Sequence, residues 1–238
     1  RRTRKIFFQN KDDQSLFIKH KFTTLRGSSL IPGSGVDHEQ FSPRPCTAPP
    51  GTFVFLYIGR LLKDKGICEY VDAARIIRRQ YPNTIFQVVG PLWQQNLKDN
   101  TITAEQLESW VQEGIIDYKG ELLDVRDIIA GCHCLVLPSY REGTSNVLLE
   151  ASSMERPCIT CDTPGCREIV SNGETGYLCQ VANADDLADK MYQMIDLPEQ
   201  TRIQMGAAAR QKVIREYDKK IVIGIYLNAI DMYLTDSR

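Results

Sequence analysis

The stretch Cys134-Leu-Val-Leu-Pro-Ser-Tyr-Arg-Glu-Gly-Thr-Ser-Asn-Val-Leu-Leu-Glu150 decides how this chain is organised. Its first four residues form an apolar run that reads as a strand buried on both faces, and residues 146–154 have helix-forming composition. Residues 138–145 are therefore a loop between a strand and a helix. In that loop Gly143 permits unusual backbone angles, and Thr144, Ser145 and Asn146 are good N-cap residues, so several amide N–H groups are left to face an anion at the helix start. Phosphate is the natural guest. Glu142 and Glu150 bracket the position, one in the loop and one about a turn into the helix. A carboxylate is an odd choice beside an anion unless it accepts hydrogen bonds from hydroxyls, two of them from a vicinal diol. The stretch thus points to a sugar, a phosphate and a ribose together.

A second loop offers cations. Gly59-Arg-Leu-Leu-Lys-Asp-Lys-Gly66 follows the apolar run 53–58 and precedes an amphipathic helix. In doubly wound sheets ligands gather at the carboxyl ends of strands, where this loop would lie. Gly59 and Gly66 allow a tight turn, and Arg60 and Lys65 supply two positive charges able to reach one point, as a sugar diphosphate requires. Lys63 reads as surface. The segment fits neither the Walker A pattern nor G-x-G-x-x-G, so ATPase and dinucleotide readings lose their main support.

Composition narrows the classes further. With 42% hydrophobic residues over 238 positions the chain can bury a sizeable core. Lys+Arg 29 against Asp+Glu 30 leaves a formal charge of -1, so no global basic field points to nucleic acid, and any phosphate site must be local. No apolar run approaches the roughly 20 residues needed to span a bilayer, and Arg1-Arg-Thr-Arg-Lys5 lacks the apolar core of a signal peptide. A cytoplasmic protein is the expectation. The 8 cysteines have no regular spacing; Cys158-Ile-Thr-Cys161 and Cys132-His-Cys134 fall in strand-like runs and read as reduced, apolar fillers, with no metal expected. His20 and His38 read as exposed and His133 as a strand start. A start without Met suggests a piece of a longer protein.

From residue 52 onward strands and helices alternate. Strands are expected at 53–58, 84–89, 115–118, 133–137, 158–160 and 176–178, with helices at 66–80, 103–112, 124–131 and 146–154. That alternation predicts an α/β fold, a Rossmann-like doubly wound parallel sheet. Three helices at 183–195, 198–216 and 218–233 follow it. Ahead of it lie a strand at 4–9, a capped helix from Asn10 to about residue 21, and the proline-rich segment Pro45-Cys-Thr-Ala-Pro-Pro50.

Glu142 and Glu150, in the context Arg-Glu-Gly-Thr-Ser-Asn-Val-Leu-Leu-Glu-Ala, resemble the E-x7-E motif of retaining, nucleotide-sugar-dependent glycosyltransferases of GT-B fold, family 4 or group 1. The likeness runs from about residue 31 to 217 and includes Ile58 to Gly66 and Thr163-Pro-Gly-Cys-Arg-Glu-Ile-Val170. It implies four units: 1–28 as the tail of an N-terminal acceptor domain, 29–51 as the interdomain linker, 52–217 as the nucleotide-sugar domain, and 218–238 as a C-terminal crossing helix. It also implies that Arg60 and Lys65 contact the donor's diphosphate. Glu142 would position sugar hydroxyls and Glu150 the ribose, with Leu122 near the base. Gly59 and the stretch Gly143, Thr144, Ser145 and Asn146 would complete the donor site. Glu142, Arg60 and Lys65 are the residues implied in catalysis. The sequence departs from the family pattern at Gly33, where Asn is usual, and at Met154-Glu155, where a small residue and Gly are usual.

The chemistry implied is glycosyl transfer from a nucleoside diphosphate sugar, such as a UDP- or GDP-sugar, to a hydroxyl of a glycan or lipid-linked acceptor. Family habit places this in bacterial surface polysaccharide or glycolipid synthesis, with peripheral contact at the inner face of a membrane through the full-length protein. As the anomeric C–O bond breaks, charge grows on the diphosphate, and cations with helix-start amides stabilise it. No Asp-x-Asp metal motif occurs, so neither a cofactor nor a metal is expected. The chain is expected to bind donor and to transfer poorly by itself. Two other readings remain: a module that binds a nucleotide sugar or other phosphorylated metabolite without turnover, and a GT-B-like phosphorylase or epimerase.

Overall fold

A computed structural model describes residues 5–93 and 100–235; residues 1–4 and 236–238, which belong to the expected first and last units, lie outside the described residues. The main body is built on six parallel strands in the order β5-β4-β3-β6-β7-β8. These are β3 Phe53–Ile58, β4 Thr84–Val89, β5 Asp117–Tyr118, β6 Cys134–Leu137, β7 Cys158–Cys161 and β8 Gly176–Cys179. Continuous apolar runs form these strands because both faces are covered. In β6 and β7 every residue is buried, and Phe55, Leu56 and Tyr57 of β3 have no exposed surface.

Helices α2 Ile67–Gln80, α3 Ala104–Gln112, α4 Arg126–Ala130, α5 Asn146–Ser153 and α6 Ala184–Asp196 connect or cover the strands. Each expected strand and helix of this body is present, with ends shifted by up to two residues. Local chemistry sets several of those ends: Thr103 and Asn183 accept hydrogen bonds from the amides of Gln106 and Asp186 and so start α3 and α6. The chain runs outward from β3 through β4 to β5, then returns to the other side of β3 for β6, β7 and β8. The strand order therefore reverses between β3 and β6, opening a crevice at their carboxyl ends.

A smaller unit stands beside this body. Strands β1 Ile6–Phe8 and β2 Ser28–Leu30 pair in parallel around α1 Lys11–Lys19, whose N-cap Asn10 accepts from the Asp13 amide. Strand β2 thus runs across the expected boundary between the N-terminal tail, 1–28, and the linker, 29–51. The last helices are α7 Glu199–Tyr217 and α8 Lys219–Thr235. The segment after β2 meets their junction: Val36 N–H donates to the Tyr217 carbonyl at 2.9 Å, Lys219 N–H donates to the Val36 carbonyl at 3.0 Å, and Asp37 pairs with Lys219. His38, expected at the surface, is half-buried and 3.0 Å from Asp218. Among the described residues no helix is long and apolar enough to cross a membrane.

Candidate functional site

The two loops singled out in the sequence follow β3 and β6, the strands that flank the reversal, and they meet there. Gly66 adopts φ 75, and a Cβ on it would overlap the Pro138 carbonyl oxygen, so only glycine lets the first loop lie against the second. Tyr140 N–H donates to the Asp64 carbonyl at 2.9 Å, which fixes the two loops in register. A one-turn 3₁₀ helix, Lys63–Lys65, not foreseen from the sequence, brings Lys65 to the seam.

At the seam Lys65 Nζ lies 2.7 Å from Glu142 Oε1, with 16% and 17% of the two side chains exposed. The fully buried Ser139 donates from Oγ to the same oxygen at 2.9 Å. Behind this pair a third loop gives support. Glu142 N–H donates to the Pro164 carbonyl and Ser145 N–H to the Gly165 carbonyl, both at 3.2 Å, while Glu168 Oε2 accepts from Gly165 N–H at 2.7 Å. Gly165 has φ 82, and a Cβ there would overlap the main-chain carbonyls of Glu142 and Gly143. The neighbouring Arg167 faces Asp162 at 3.1 Å.

Helix α5 begins at this point with Ser145 as its N-cap, and the Ser145 side chain makes no capping hydrogen bond. Among the described residues the amides of Thr144, Asn146 and Val147 donate to no protein acceptor, so the positive end of the helix is open to an anion. Asn146 Oδ1 accepts from Ser34 Oγ at 2.9 Å. Glu150 lies a turn further along. Burial pushes its carboxyl up to about 7, and no hydrogen bond or ion pair from the described residues compensates it. Such a raised carboxyl without a compensating partner among the described residues marks a candidate for a functional site. The Tyr140 hydroxyl donates to Glu69 Oε1 at 2.7 Å, and burial with that carboxylate raises its ionisation well above the ordinary range.

The other residues singled out in the sequence are placed as follows. Gly143 is not in the left-handed region; a Cβ there would meet only the end of the exposed Gln9 side chain, which can move aside. Arg60 and Lys65 do not share one partner: Lys65 sits on Glu142, whereas the exposed Arg60 stacks its guanidinium over the Trp93 ring, 5.2 Å from the centroid. Gly59 has no left-handed angle; its N–H donates to the Val89 carbonyl at 3.0 Å, and it packs against Gly90, on which a Cβ would overlap the Gly59 carbonyl. Leu122 is exposed on the loop after β5, where the Gly120 carbonyl accepts from Gly90 N–H at 2.9 Å. The cysteines are free thiols, six of them buried, with Cys161 and Cys179 3.7 Å apart across β7 and β8.

Sequence reading missed Ser139 and the contribution of the small N-terminal unit. Thr144 Oγ1 donates to the Gln9 carbonyl at 3.3 Å, Asn10 Nδ2 donates to the Gly143 carbonyl at 3.2 Å, and Arg141 pairs with Asp13. Nothing local marks Gln9 and Asn10, which are over 130 positions away. For Ser139 there was a signal: a small hydroxyl three residues before a loop carboxylate.

The family model described as glycosyl transferases group 1 matches residues 39–212. Among curated proteins the chain is 29% identical over 178 residues to the N,N'-diacetylbacillosaminyl-diphospho-undecaprenol alpha-1,3-N-acetylgalactosaminyltransferase of Campylobacter jejuni, covering 75% of this chain and 44% of that protein. The chain spans about half the length of the curated relatives it matches. Among solved structures it resembles a glycosyltransferase from Rickettsia africae, with TM-score 0.84, 18% identity, and coverage of 98% of this chain and 64% of that one. It also resembles Anabaena Alr3699/HepE in complex with UDP and glucose, with TM-score 0.79, 18% identity, and coverage of 96% and 63%. At these identities the likeness to the solved structures bears on the fold alone, an α/β parallel sheet with flanking helices.

Proposed function

Since this chain belongs to the group 1 glycosyl transferases, we propose that it forms the donor-binding part of a retaining GT-B enzyme that moves a sugar from a nucleoside diphosphate to an acceptor hydroxyl. The observation that carries this reading is the meeting of Lys65, Glu142 and the open amides of α5 at the point where the strand order reverses. A cation and a helix N-terminus suit the diphosphate, and a fixed carboxylate beside them suits the sugar hydroxyls. Arg60 lies on the loop that also holds Lys65 and can swing from Trp93 onto the diphosphate. Glu150 takes the ribose hydroxyls, whose donors restore its charge. Leu122 stands near the base, and Gly59 gives close approach.

Charge that develops on the leaving diphosphate is offset by Lys65, Arg60 and the amides of α5, so the reaction proposed runs without a metal or other cofactor. E-x7-E, from Glu142 to Glu150, then names a division of labour between sugar and ribose. In the same reading residues 1–28 end an acceptor domain, 29–51 link the two halves, 52–217 hold the donor and 218–238 cross back. The acceptor is a glycan or a lipid-linked glycan of a bacterial surface polymer, at the inner face of a membrane. The Campylobacter relative, whose name includes diphospho-undecaprenol, supports an acceptor of that kind.

Titration calorimetry of this chain with UDP, GDP and ADP tests the reading. One of the three binds saturably, and Lys65→Ala and Glu150→Ala weaken it in folded protein. Binding of none, or binding indifferent to both changes, refutes the assignment.

A further inference from the structure

The roles above leave Ser139 without a task. It is fully buried, and its Oγ lies 2.9 Å from Glu142 Oε1, the oxygen that also receives Lys65. The other acceptor within its reach, the Asp64 carbonyl, is 3.4 Å away. A hydroxyl has one proton to donate, and the shorter, charged acceptor takes it. Glu142 Oε2 accepts no hydrogen bond from the described residues. One oxygen is thus held from two sides while the other stays open to a ligand.

Lys65 and Glu142 are bound to each other here, although donor binding asks them to serve different parts of one ligand. A diphosphate carries more than one negative charge, and Coulomb attraction grows in proportion, so the diphosphate draws Lys65 away from a single carboxylate. Glu142 then loses its counter-charge and one of the two groups that fix its rotamer. Ser139 cannot follow Lys65. It sits just beyond β6, its carbonyl accepts from Thr163 Oγ1 at 3.3 Å, and its side chain is one bond long.

We propose that Ser139 is a positioning residue: it keeps Glu142 Oε1 anchored after Lys65 has moved to the diphosphate, so that Oε2 remains aimed at the sugar hydroxyls. With the diphosphate bound, the aim of Glu142 at the sugar then depends on Ser139. This rests on the nucleotide-sugar reading and deepens it.

The test compares two ligands on this chain. UDP, GDP and ADP are titrated first, then the glucose, galactose, mannose and N-acetylglucosamine derivatives of the one that binds. Ser139→Ala leaves affinity for the nucleoside diphosphate within about twofold and weakens the tightest nucleotide sugar by about tenfold or more, as expected for loss of a hydrogen bond to a charged acceptor. Ser139→Cys, close in volume and a poor donor, gives the same ratio and carries the test if Ser139→Ala does not fold. In a Glu142→Gln background the effect of Ser139→Ala shrinks, which a double-mutant cycle reads as coupling. Equal loss for both ligands, no loss for either, or a parent that binds the diphosphate as tightly as every sugar derivative overturns the proposal. Failure of all three nucleoside diphosphates to bind counts instead against the nucleotide-sugar reading on which it stands.

Discussion

Replacing Glu150 by glutamine should stabilise the fold and weaken the ligand, with opposite consequences that a pH series separates. Burial raises this carboxyl from 4.5 to about 7, so near neutrality the native state holds a proton that the unfolded chain releases. Stability therefore falls as pH rises from about 4.5 through 7 and is level above that. The span corresponds to a ceiling of about 3 kcal/mol, which the part of the side chain in contact with water reduces to about 2 kcal/mol. Glutamine keeps the shape and removes the penalty. At pH 8 Glu150→Gln should melt about 4–8 °C above the parent, and at pH 4.5 the two should nearly coincide. At pH 8 the same variant should bind the nucleoside diphosphate about tenfold more weakly, because ribose hydroxyls donate more strongly to a carboxylate than to an amide. Thermal unfolding followed by circular dichroism between pH 4.5 and 8, with calorimetry at pH 8, checks both parts. A melting difference that is the same at both pH values would show that ionisation at Glu150 costs the fold nothing and would refute the argument.

Three further outcomes are expected. Gly66→Ala, at φ 75 and against the Pro138 carbonyl, should cost about 3 kcal/mol or more and lower the melting temperature by about 6–12 °C; a variant as stable as the parent would contradict the contact between the two loops. Glu155→Gly should stabilise by about 1 kcal/mol in denaturant titrations, since Glu155 ends α5 at φ 59, where a side chain is strained. Lys65→Ala should weaken nucleoside diphosphate binding by about tenfold and flatten its dependence on salt; an unchanged salt profile would remove Lys65 from the phosphate.

Much of the fold was legible because its signals are local. Apolar runs such as Phe53 to Ile58 and Cys134 to Leu137 can only be strands buried on both faces, and caps such as Asn10, Thr103 and Asn183 start helices with their own side chains. The departure at Met154-Glu155 was also visible, and its cost became plain in the left-handed angle of Glu155, where glycine is unstrained. Gly143 was singled out for unusual backbone angles, yet it does not adopt the left-handed region, and the side chain nearest to it is that of Gln9, from another unit.

By itself the sequence determined the alternation of strands and helices, the two loops at their carboxyl ends, and the residue types offered to a phosphate and to hydroxyls. Periodicity, capping and loop composition are properties of neighbours along the chain. Only the tertiary structure decided which of those residues face one another: that Lys65 rests on Glu142, that Arg60 turns to Trp93, that Ser139 stands behind the carboxylate, and that Glu150 has no partner among the described residues. Those outcomes depend on the strand order, which sets the loops that carry residues 65 and 142 side by side, and on burial, which no single segment can set for itself.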